Sequence, residues 1–377
     1  MTSWPWLLCP QFTGRIYLLR VNASRMNERF HHDFPQPPLC HRSINRRVAT
    51  IGATAAVASP AQASENGHGS NRPSGKATIF TVISDIQGDL ADFDLALKDI
   101  ESTNPSKRSA GLVVNGDITP RGYDFEYDAV RKVLDANTHA SNVHWAIGNH
   151  EFYVPKYSNP TTLAQATWPN GTTEASLFES FFTFTGRDKV YAEIDLGGVP
   201  GLILGTEKYM HYHDAKLWDE VWLSEEQITW LEQRLAYWAR KGKPVMVFTH
   251  HPFPDTVSGT RNNLYKNDYL QADRLLGILG KYKNVFVFTA HTHWALQLAD
   301  WEVRRTVPGT GNLQGFQVIN TGAVQTLWED NGAGGERALD GREASGLQVE
   351  VYNDCVVVRA RDYRRGEWIK EVQIPLF

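Results

Sequence analysis

Five short apolar runs in this chain each end directly in polar residues of the kinds that bind metal ions. The runs are rich in β-branched and aromatic residues, which predicts buried strands. Because sites in α/β proteins form at the carboxyl ends of strands, the five ends are expected to meet at one edge of the fold. The polar groups are, in chain order, D-I-Q at 85–87, G-D at 116–117, G-N-H-E at 148–151, H-H-P at 250–252 and A-H-T-H at 290–293.

The segments between these runs carry helix signals, so the chain is predicted to be an α/β protein whose sheets are covered by helices. Apolar residues recur at helical spacing, and one helix is opened by the capping box S-E-E-Q. The predicted elements are helices at 90–100, at 127–134 and from 224, strands at 190–205 and 315–320, a loop insertion at 152–171, and a β-hairpin with a final strand at 346–377.

The polar residues at the strand ends suit a divalent metal centre. Asp, Asn, Gln and His without Cys are ligands for ions such as Mn, Fe, Zn or Co. Any one of these residues alone is more often a turn, capping or structural residue, but five coincident clusters indicate a site. One ion needs about four to six ligands, so the set is large enough for two ions that share a carboxylate. The candidate ligands are Asp85, Gln87, Asp117, Asn149, His250, His291 and His293.

The order of these motifs resembles the calcineurin-like metallophosphoesterase superfamily of dinuclear metal phosphatases and phosphodiesterases. That superfamily carries D-x-H, G-D, G-N-H-E/D, a lone His and G-H-x-H, and the resemblance covers about residues 77–325. It implies an α/β sandwich of two mixed β-sheets flanked by helices, with metals at the carboxyl ends of strands. It also implies hydrolysis of phosphoester bonds by a hydroxide that two metal ions activate.

The resemblance assigns roles by position. One metal would be held by Asp85, Gln87, Asp117 and His293, and the other by Asp117, Asn149, His250 and His291, so that Asp117 bridges them. His150 would face the substrate and stabilise charge or protonate the leaving oxygen. Arg121, in G-D-I-T-P-R-G, resembles the phosphate-gripping Arg of Ser/Thr protein phosphatases, although a surface ion pair is the alternative. The expected catalytic residues are His150, Asp117 and Arg121, and the expected substrate-binding residues are Arg121, His150 and Asn149.

Three departures from the superfamily pattern bear on the expected metal ions and substrates. Gln87 stands where a His is usual, and its harder, weaker amide oxygen favours Mn or Mg over Zn. Pro120 replaces the Asp that orients the catalytic His in protein phosphatases, and their second Arg is missing, which argues against phosphoprotein substrates. Ala290 replaces a Gly with little expected effect. The expected cofactors are therefore two divalent ions among Mn, Fe, Zn and Mg, with Mn favoured.

The N-terminus indicates export. Arg46 and Arg47 precede an apolar run at 48–58 and A-Q-A at 61–63, which is the pattern of a secretory signal peptide, possibly of the twin-arginine type. A start at Met26 would shorten the leader. We expect a leader at 1–63, a flexible linker at 64–76, the metallophosphoesterase domain at 77–325, a C-terminal β extension packed on the core at 326–377, and a secreted, periplasmic or cell-envelope location.

Charge and cysteine content restrict the partners. Residues 1–63 hold seven Arg against one Glu and one Asp, a net charge of +5, which leaves −9 for the remainder of a chain whose total is −4. An acidic body is a poor match for nucleic acid, and no long apolar run predicts a membrane span. After cleavage Cys355 alone would remain, so no internal disulfide is expected. It lies in a strand-like run and is predicted to be buried.

The sequence therefore predicts an exported, metal-dependent phosphohydrolase of small organic phosphates, either diesters or monoesters. The alternatives are a pyrophosphate-bond hydrolase of the nucleotide-diphosphate type, a nuclease, or a non-catalytic binding protein on the same fold. The oligomeric state is left open.

Overall fold

The computed structural model describes residues 73–261, 264–339 and 344–377. The predictions for 1–63, and for all but the end of the linker at 64–76, lie outside the described residues. Two six-stranded mixed sheets form the centre of the described part, and helices cover them. The predicted α/β architecture of two mixed sheets flanked by helices is confirmed. No described helix is both long enough and apolar enough to cross a bilayer.

Strands outnumber helices in the described part of the chain. The strands are β1 (Thr78–Ile83), β2 (Leu112–Asn115), β3 (Val143–Ala146), β4 (Tyr157–Asn159), β5 (Thr162–Leu163), β6 (Ala192–Asp195), β7 (Pro200–Ile203), β8 (Val245–Phe248), β9 (Val285–Thr289), β10 (Glu302–Arg305), β11 (Phe316–Asn320), β12 (Trp328–Asp330), β13 (Glu336–Ala338), β14 (Ser345–Val351), β15 (Cys355–Asp362) and β16 (Glu367–Pro375). The helices are α1 (Leu90–Thr103), α2 (Asp124–Asp135), α3 (Glu174–Thr185), α4 (Glu225–Arg240) and α5 (Ala272–Leu279).

Each of the two large sheets contains a block of adjacent parallel strands. The first has the order β16-β15-β14-β1-β2-β3, and the second has the order β10-β11-β9-β8-β7-β6. Strands β1, β2 and β3 are parallel, as are β7, β8, β9 and β11. The C-terminal strand β14 pairs antiparallel with β1, and Cys355 in β15 is buried. Strands buried on both faces explain the continuous apolar runs in the sequence.

Successive core residues of each strand point to opposite faces of the sheet. Phe80 of β1 is fully buried between the sheets, and its ring lies 6.3 Å from that of Phe248 and 6.4 Å from that of Phe288, edge to face. Val113 of β2 points to the same side, whereas Leu112 and Val114 point to the helical layer with α1 and α2. Helices α4 and α5 cover the second sheet.

Some elements differ from the sequence expectation. The segment at 152–171 contains short 3₁₀ turns and the small β4–β5 hairpin rather than open loop. Helix α3 follows it and was not predicted, because its several Phe residues leave no single apolar stripe. Its end signals are nevertheless present, since Thr173 caps the first turn and Gly186 takes a left-handed φ of 69° after the last.

Candidate metal centre

The five polar loops meet at one edge of the two sheets. Main-chain hydrogen bonds join the first loop to the second, with Asp85 N donating to Gly116 O at 3.1 Å and Gln87 N donating to Asp117 O at 3.1 Å. Ala290 N likewise donates to His250 O at 2.7 Å, which joins the fourth and fifth loops. Strand ends that are far apart in sequence therefore form one continuous rim.

Asn115 connects the two sheets beneath this rim. It is fully buried at the end of β2, and its Nδ2 donates to the carbonyls of Thr249 and Phe288 in the second sheet, each at 3.1 Å. Its own carbonyl lies 2.8 Å from His250 Nδ1. The sequence reasoning assigned Asn115 no role, and its position next to G-D was the only signal.

Five of the predicted ligands have a left-handed backbone, which is uncommon outside glycine. Such conformations persist where surrounding contacts hold them, and they cluster at functional sites. Glu151 supplies one such contact, since its buried carboxylate accepts from the amides of Asp117 at 3.1 Å, Thr119 at 3.0 Å and Gly148 at 2.8 Å. The φ angles are 54° at Asp85, 44° at Gln87, 52° at Asp117, 69° at His291 and 55° at His293.

The donor atoms fall into two groups that share Asp117. One group contains Asp85, Asp117 and His293, and the other contains Asp117, His250 and His291, with all donor atoms of a group within 4.8 Å of one another. His293 Nε2 lies 2.9 Å from Asp85 Oδ1, and His250 Nε2 lies 3.2 Å from Asp117 Oδ1. The shared carboxylate is the one for which the motif resemblance implied a bridging role.

The chemistry of these groups fits bound cations. His250 Nδ1 and His293 Nδ1 lie 2.8 Å and 2.9 Å from the carbonyls of Asn115 and Thr326, so in the neutral rings Nδ1 carries the proton. Each Nε2 then presents a lone pair to a carboxylate oxygen, and this arrangement needs a cation between the two atoms. In the metal-free protein a proton takes this place on His250, because the pKa of His250, which burial alone would lower, is raised to about 10 by the Asp117 and Asp85 carboxylates. Asp85 is 0% exposed, and neither of its carboxylate oxygens has a hydrogen-bond partner among the described residues. A buried charge of this kind is costly unless it is paired or binds a metal.

Electrostatics around His291 also favour metal binding. Burial, together with the neighbouring His251 and His250, holds the pKa of His291 well below its usual value. A neutral imidazole is the form that binds metal. Its Nε2 lies 3.8 Å from Asp268 Oδ2, and its ring centroid is 4.4 Å from that of His251. The His251 ring thus packs behind the donor group, and His250, the residue that the sequence pattern favoured, lies within it.

Gln87 and Asn149 reach the same rim through their amides. Asn149 Oδ1 lies 3.1 Å from His250 Nε2, so the amide oxygen faces the second donor group. Gln87 donates from Nε2 to Asp117 Oδ2 at 2.6 Å, and the same nitrogen lies 3.1 Å from His293 Nε2. Coordination by the Gln87 oxygen would require the amide to turn over, so its role as a ligand stays a prediction.

His150 is held at the open side of the rim. Its Nδ1 lies 2.9 Å from the Pro120 carbonyl, and its Nε2 lies 3.9 Å from Asp117 Oδ2 with 26% of the side chain exposed. Burial lowers the pKa of His150, and the Asp117 carboxylate opposes that shift. The Pro120 carbonyl therefore orients His150, although the proline side chain has no group that could accept the hydrogen bond.

Arg121 lies near the rim but is already paired. Its Nη1 is 2.8 Å from Glu126 Oε1, and its guanidinium lies over the Tyr157 ring at 5.1 Å from the centroid. This ion pair is the alternative considered for Arg121, and phosphate binding by Arg121 stays a prediction.

These features define a class of protein: an α/β sandwich whose strand ends form a two-metal centre. A sequence model of the calcineurin-like phosphoesterase family matches residues 79–295. The chain belongs to this family and is a hydrolase of phosphoester bonds. A second model, for a domain of unknown function (DUF4073), matches residues 296–376. Comparison with curated protein sequences gives no match.

Solved structures align with about four fifths of this chain. A dimetal phosphatase from Danio rerio is 17% identical with a TM-score of 0.55, and the alignment covers 79% of this chain and 99% of that one. GAP50, the anchor in the inner membrane complex of Plasmodium, is 11% identical with a TM-score of 0.46, over 80% and 90% of the two chains. A 5′-nucleotidase precursor from Thermus thermophilus is 12% identical with a TM-score of 0.39, over 80% of this chain and 54% of that one.

Proposed function

We propose that this phosphoester hydrolase acts on small organic phosphates, diesters before monoesters, with two divalent cations held on either side of Asp117. The observation that carries the proposal is the pair of donor groups that share Asp117, beside the buried carboxylate of Asp85, which accepts no hydrogen bond from the described residues. Asp85, Gln87 and His293 would hold one ion with Asp117, and Asn149, His250 and His291 would hold the other. Mn is favoured because Gln87 offers an oxygen where an imidazole is usual.

Two such cations, when bound, lower the pKa of a shared water and neutralise the charge of the phosphoryl oxygens. The protein residues supply position and proton transfer. Because Nδ1 of His150 faces the Pro120 carbonyl, Nε2 is the atom left for the substrate. In its protonated form that nitrogen stabilises negative charge or gives its proton to the departing oxygen.

Charge near the site favours a diester substrate. The Arg121 guanidinium is already neutralised by Glu126. Residues 64–377 carry a net charge of −9, because the whole chain carries −4 and residues 1–63 carry +5. A phosphodiester brings one negative charge to the cations and a monoester dianion brings about two. The substrate with the smaller charge therefore needs less help from protein cations beyond the metal centre.

Hydrolysis of synthetic esters tests the proposal. Metal-stripped protein is supplied with Mn, Zn, Fe or Mg and assayed on bis-p-nitrophenyl phosphate, p-nitrophenyl phosphate, a dinucleotide pyrophosphate and DNA. We expect metal-restored activity, highest on the diester, that is lost in Asp117→Asn. Preference for the pyrophosphate or for DNA would replace the proposed substrate class, and an intact, metal-loaded protein without turnover on any ester would indicate a binding protein.

We also propose export through the N-terminal segment, with the domain boundaries predicted from the sequence. The paired Arg46 and Arg47, the apolar run at 48–58 and the A-Q-A at 61–63 support it. In bacterial cells with a twin-arginine translocase, the wild-type chain is expected outside the cytoplasm as a form that begins near residue 64. The variant with Arg46→Lys and Arg47→Lys should stay inside at full length, and equal export of both would contradict the proposal.

A further inference from the structure

A chain of polar side chains leads away from the metal centre through Asn149. Asn149 Nδ2 donates to Tyr153 Oη at 2.7 Å, and Tyr153 Oη donates to Asp219 Oδ2 at 2.6 Å. Lys156 Nζ lies 3.5 Å from the other Asp219 oxygen and 3.3 Å from the centroid of the Tyr153 ring. Lys156 is 8% exposed and Asn149 is 4% exposed, whereas 31% of the Asp219 side chain is exposed, so these hydrogen bonds lead from the interior toward the surface. Neither Tyr153 nor Asp219 belongs to the two donor groups of the metal centre.

The direction of these hydrogen bonds is determined by Asp219. An ionised carboxylate only accepts, so the single hydroxyl proton of Tyr153 points to Asp219. The Tyr153 oxygen can then only accept from Asn149, so the Asn149 amide nitrogen points to Tyr153 and away from the two donor groups. The amide oxygen is left on the opposite side, 3.1 Å from His250 Nε2.

This direction matters because an Asn side chain has two similar ends. Only the oxygen end can bind a divalent cation, and an amide that turns over would present an N–H to the ion. Lys156 is the ion-pair partner of Asp219 and holds the carboxylate in place beside the Tyr153 ring. The Tyr153 ring also lies 4.4 Å from the His150 ring, so the same residue contacts both neighbours in G-N-H-E.

We propose that Tyr153 is a positioning residue that, with Asp219 and Lys156, holds the Asn149 amide with its oxygen toward the metal centre. The proposal rests on the proposed function, since it assumes that Asn149 is a metal ligand. Outer-shell partners that orient ligands typically change metal affinity about 10- to 100-fold when they are removed.

The first experiment removes the hydroxyl alone. Tyr153→Phe is compared with Tyr209→Phe, a buried tyrosine whose hydroxyl has no hydrogen-bond partner among the described residues. Mn²⁺ binding to metal-stripped full-length protein is followed by titration calorimetry, with kcat and KM on bis-p-nitrophenyl phosphate in parallel. We expect Tyr153→Phe to weaken one of two Mn²⁺ sites by about 10- to 100-fold and to lower kcat more than it changes KM. Tyr209→Phe is expected to leave both sites unchanged.

The outcomes separate the two proposals. Two tight Mn²⁺ sites in both variants, as in the wild type, would overturn the positioning role and leave the proposed function intact. A folded wild-type protein that binds fewer than two Mn²⁺ ions would overturn the proposed metal centre, and the positioning role with it.

The second experiment reverses the direction of the hydrogen bonds between positions 149, 153 and 219. Asp219→Asn replaces one of the two accepting oxygens, which face Tyr153 and Lys156, by an N–H donor. Asn149→Asp introduces a second carboxylate that competes for the one Tyr153 proton. In the double variant the new amide at position 219 donates to Tyr153, which donates to the new carboxylate at position 149. We expect the double variant to bind the affected Mn²⁺ about tenfold more tightly than the product of the single effects predicts. Strict additivity would overturn the proposal.

Discussion

Replacing Gly148 by alanine is expected to damage the metal centre through one added carbon atom. An ideal Cβ at this position would lie 2.2 Å from Asp117 Oδ1 and 2.4 Å from the Asp117 backbone nitrogen, where ordinary contacts begin at 3.4 Å. A carboxylate could rotate away, but the backbone nitrogen cannot, so one of the two loops must move by about 1 Å. Asp117 is the carboxylate common to both donor groups, and its displacement affects both.

The expected magnitude follows from that displacement. A misplacement of about 1 Å at a reacting centre can cost about 100-fold in rate, and overpacking of this kind costs about 1–3 kcal/mol of stability. Gly277→Ala is the matched control, because it lies inside α5 and an added Cβ meets no heavy atom within 4 Å. This control should keep its activity and gain about 0.5–1 kcal/mol.

The assay is kcat/KM on bis-p-nitrophenyl phosphate at saturating Mn²⁺, with urea unfolding on the same samples. Gly148→Ala is expected to lose about 100-fold in kcat/KM. If Gly148→Ala instead matched Gly277→Ala in rate and in Mn²⁺ content, the close approach of the two loops would have no functional meaning and the reasoning would fail.

Three further changes test neighbouring parts of the structure. Asp85→Asn removes a buried charge that accepts no hydrogen bond from the described residues, so urea unfolding should show a more stable metal-free protein and a less stable Mn²⁺-loaded one; the same sign in both states would contradict the cation role. Asn115→Ala removes two hydrogen bonds between the sheets, one to the Thr249 carbonyl and one to the Phe288 carbonyl, which still accepts from Thr249 N. This loss should cost about 1–3 kcal/mol in the same assay, and a neutral result would show that the link is dispensable. In the wild type, main-chain amides donate to the Glu151 carboxylate, and Glu151→Gln places an N–H donor against some of them. About 1–3 kcal/mol of stability and most of the Mn²⁺ affinity should be lost. Unchanged affinity would show that the loops around Asp117 and Gly148 keep their shape without this carboxylate.

The convergence of the candidate ligands could be predicted from sequence because each polar cluster follows its strand directly. A buried parallel strand leaves a continuous apolar run, and the residue that ends it is visible beside it. That adjacency predicts that Asp85, Asp117 and His293 meet at one edge, whereas their assignment to one metal ion came from the family resemblance. The family and the fold class, which the order of the motifs implied, are confirmed.

Other parts of the site have no local signal. Pro120 orients His150 through a backbone carbonyl, which every residue has, so the side chain gives no indication of it. Asn115 reaches across to Thr249 and Phe288, which are remote in sequence and meet it only after the sheets pack. Tyr153 and Asp219 are joined in the same way, by a contact between distant segments. Helix α3 was missed because its apolar residues do not form one stripe, although its capping residues were present.

The most direct test of the account is the number of metal ions that the chain binds through Asp117. Metal-stripped wild-type protein and Asp117→Asn are dialysed against Mn²⁺, and bound metal is measured per chain by mass spectrometry, with circular dichroism to show that both are folded. Because both donor groups contain Asp117, the account predicts two ions in the wild type and the loss of both in the variant. One ion in the wild type, or two ions retained by Asp117→Asn, would contradict it.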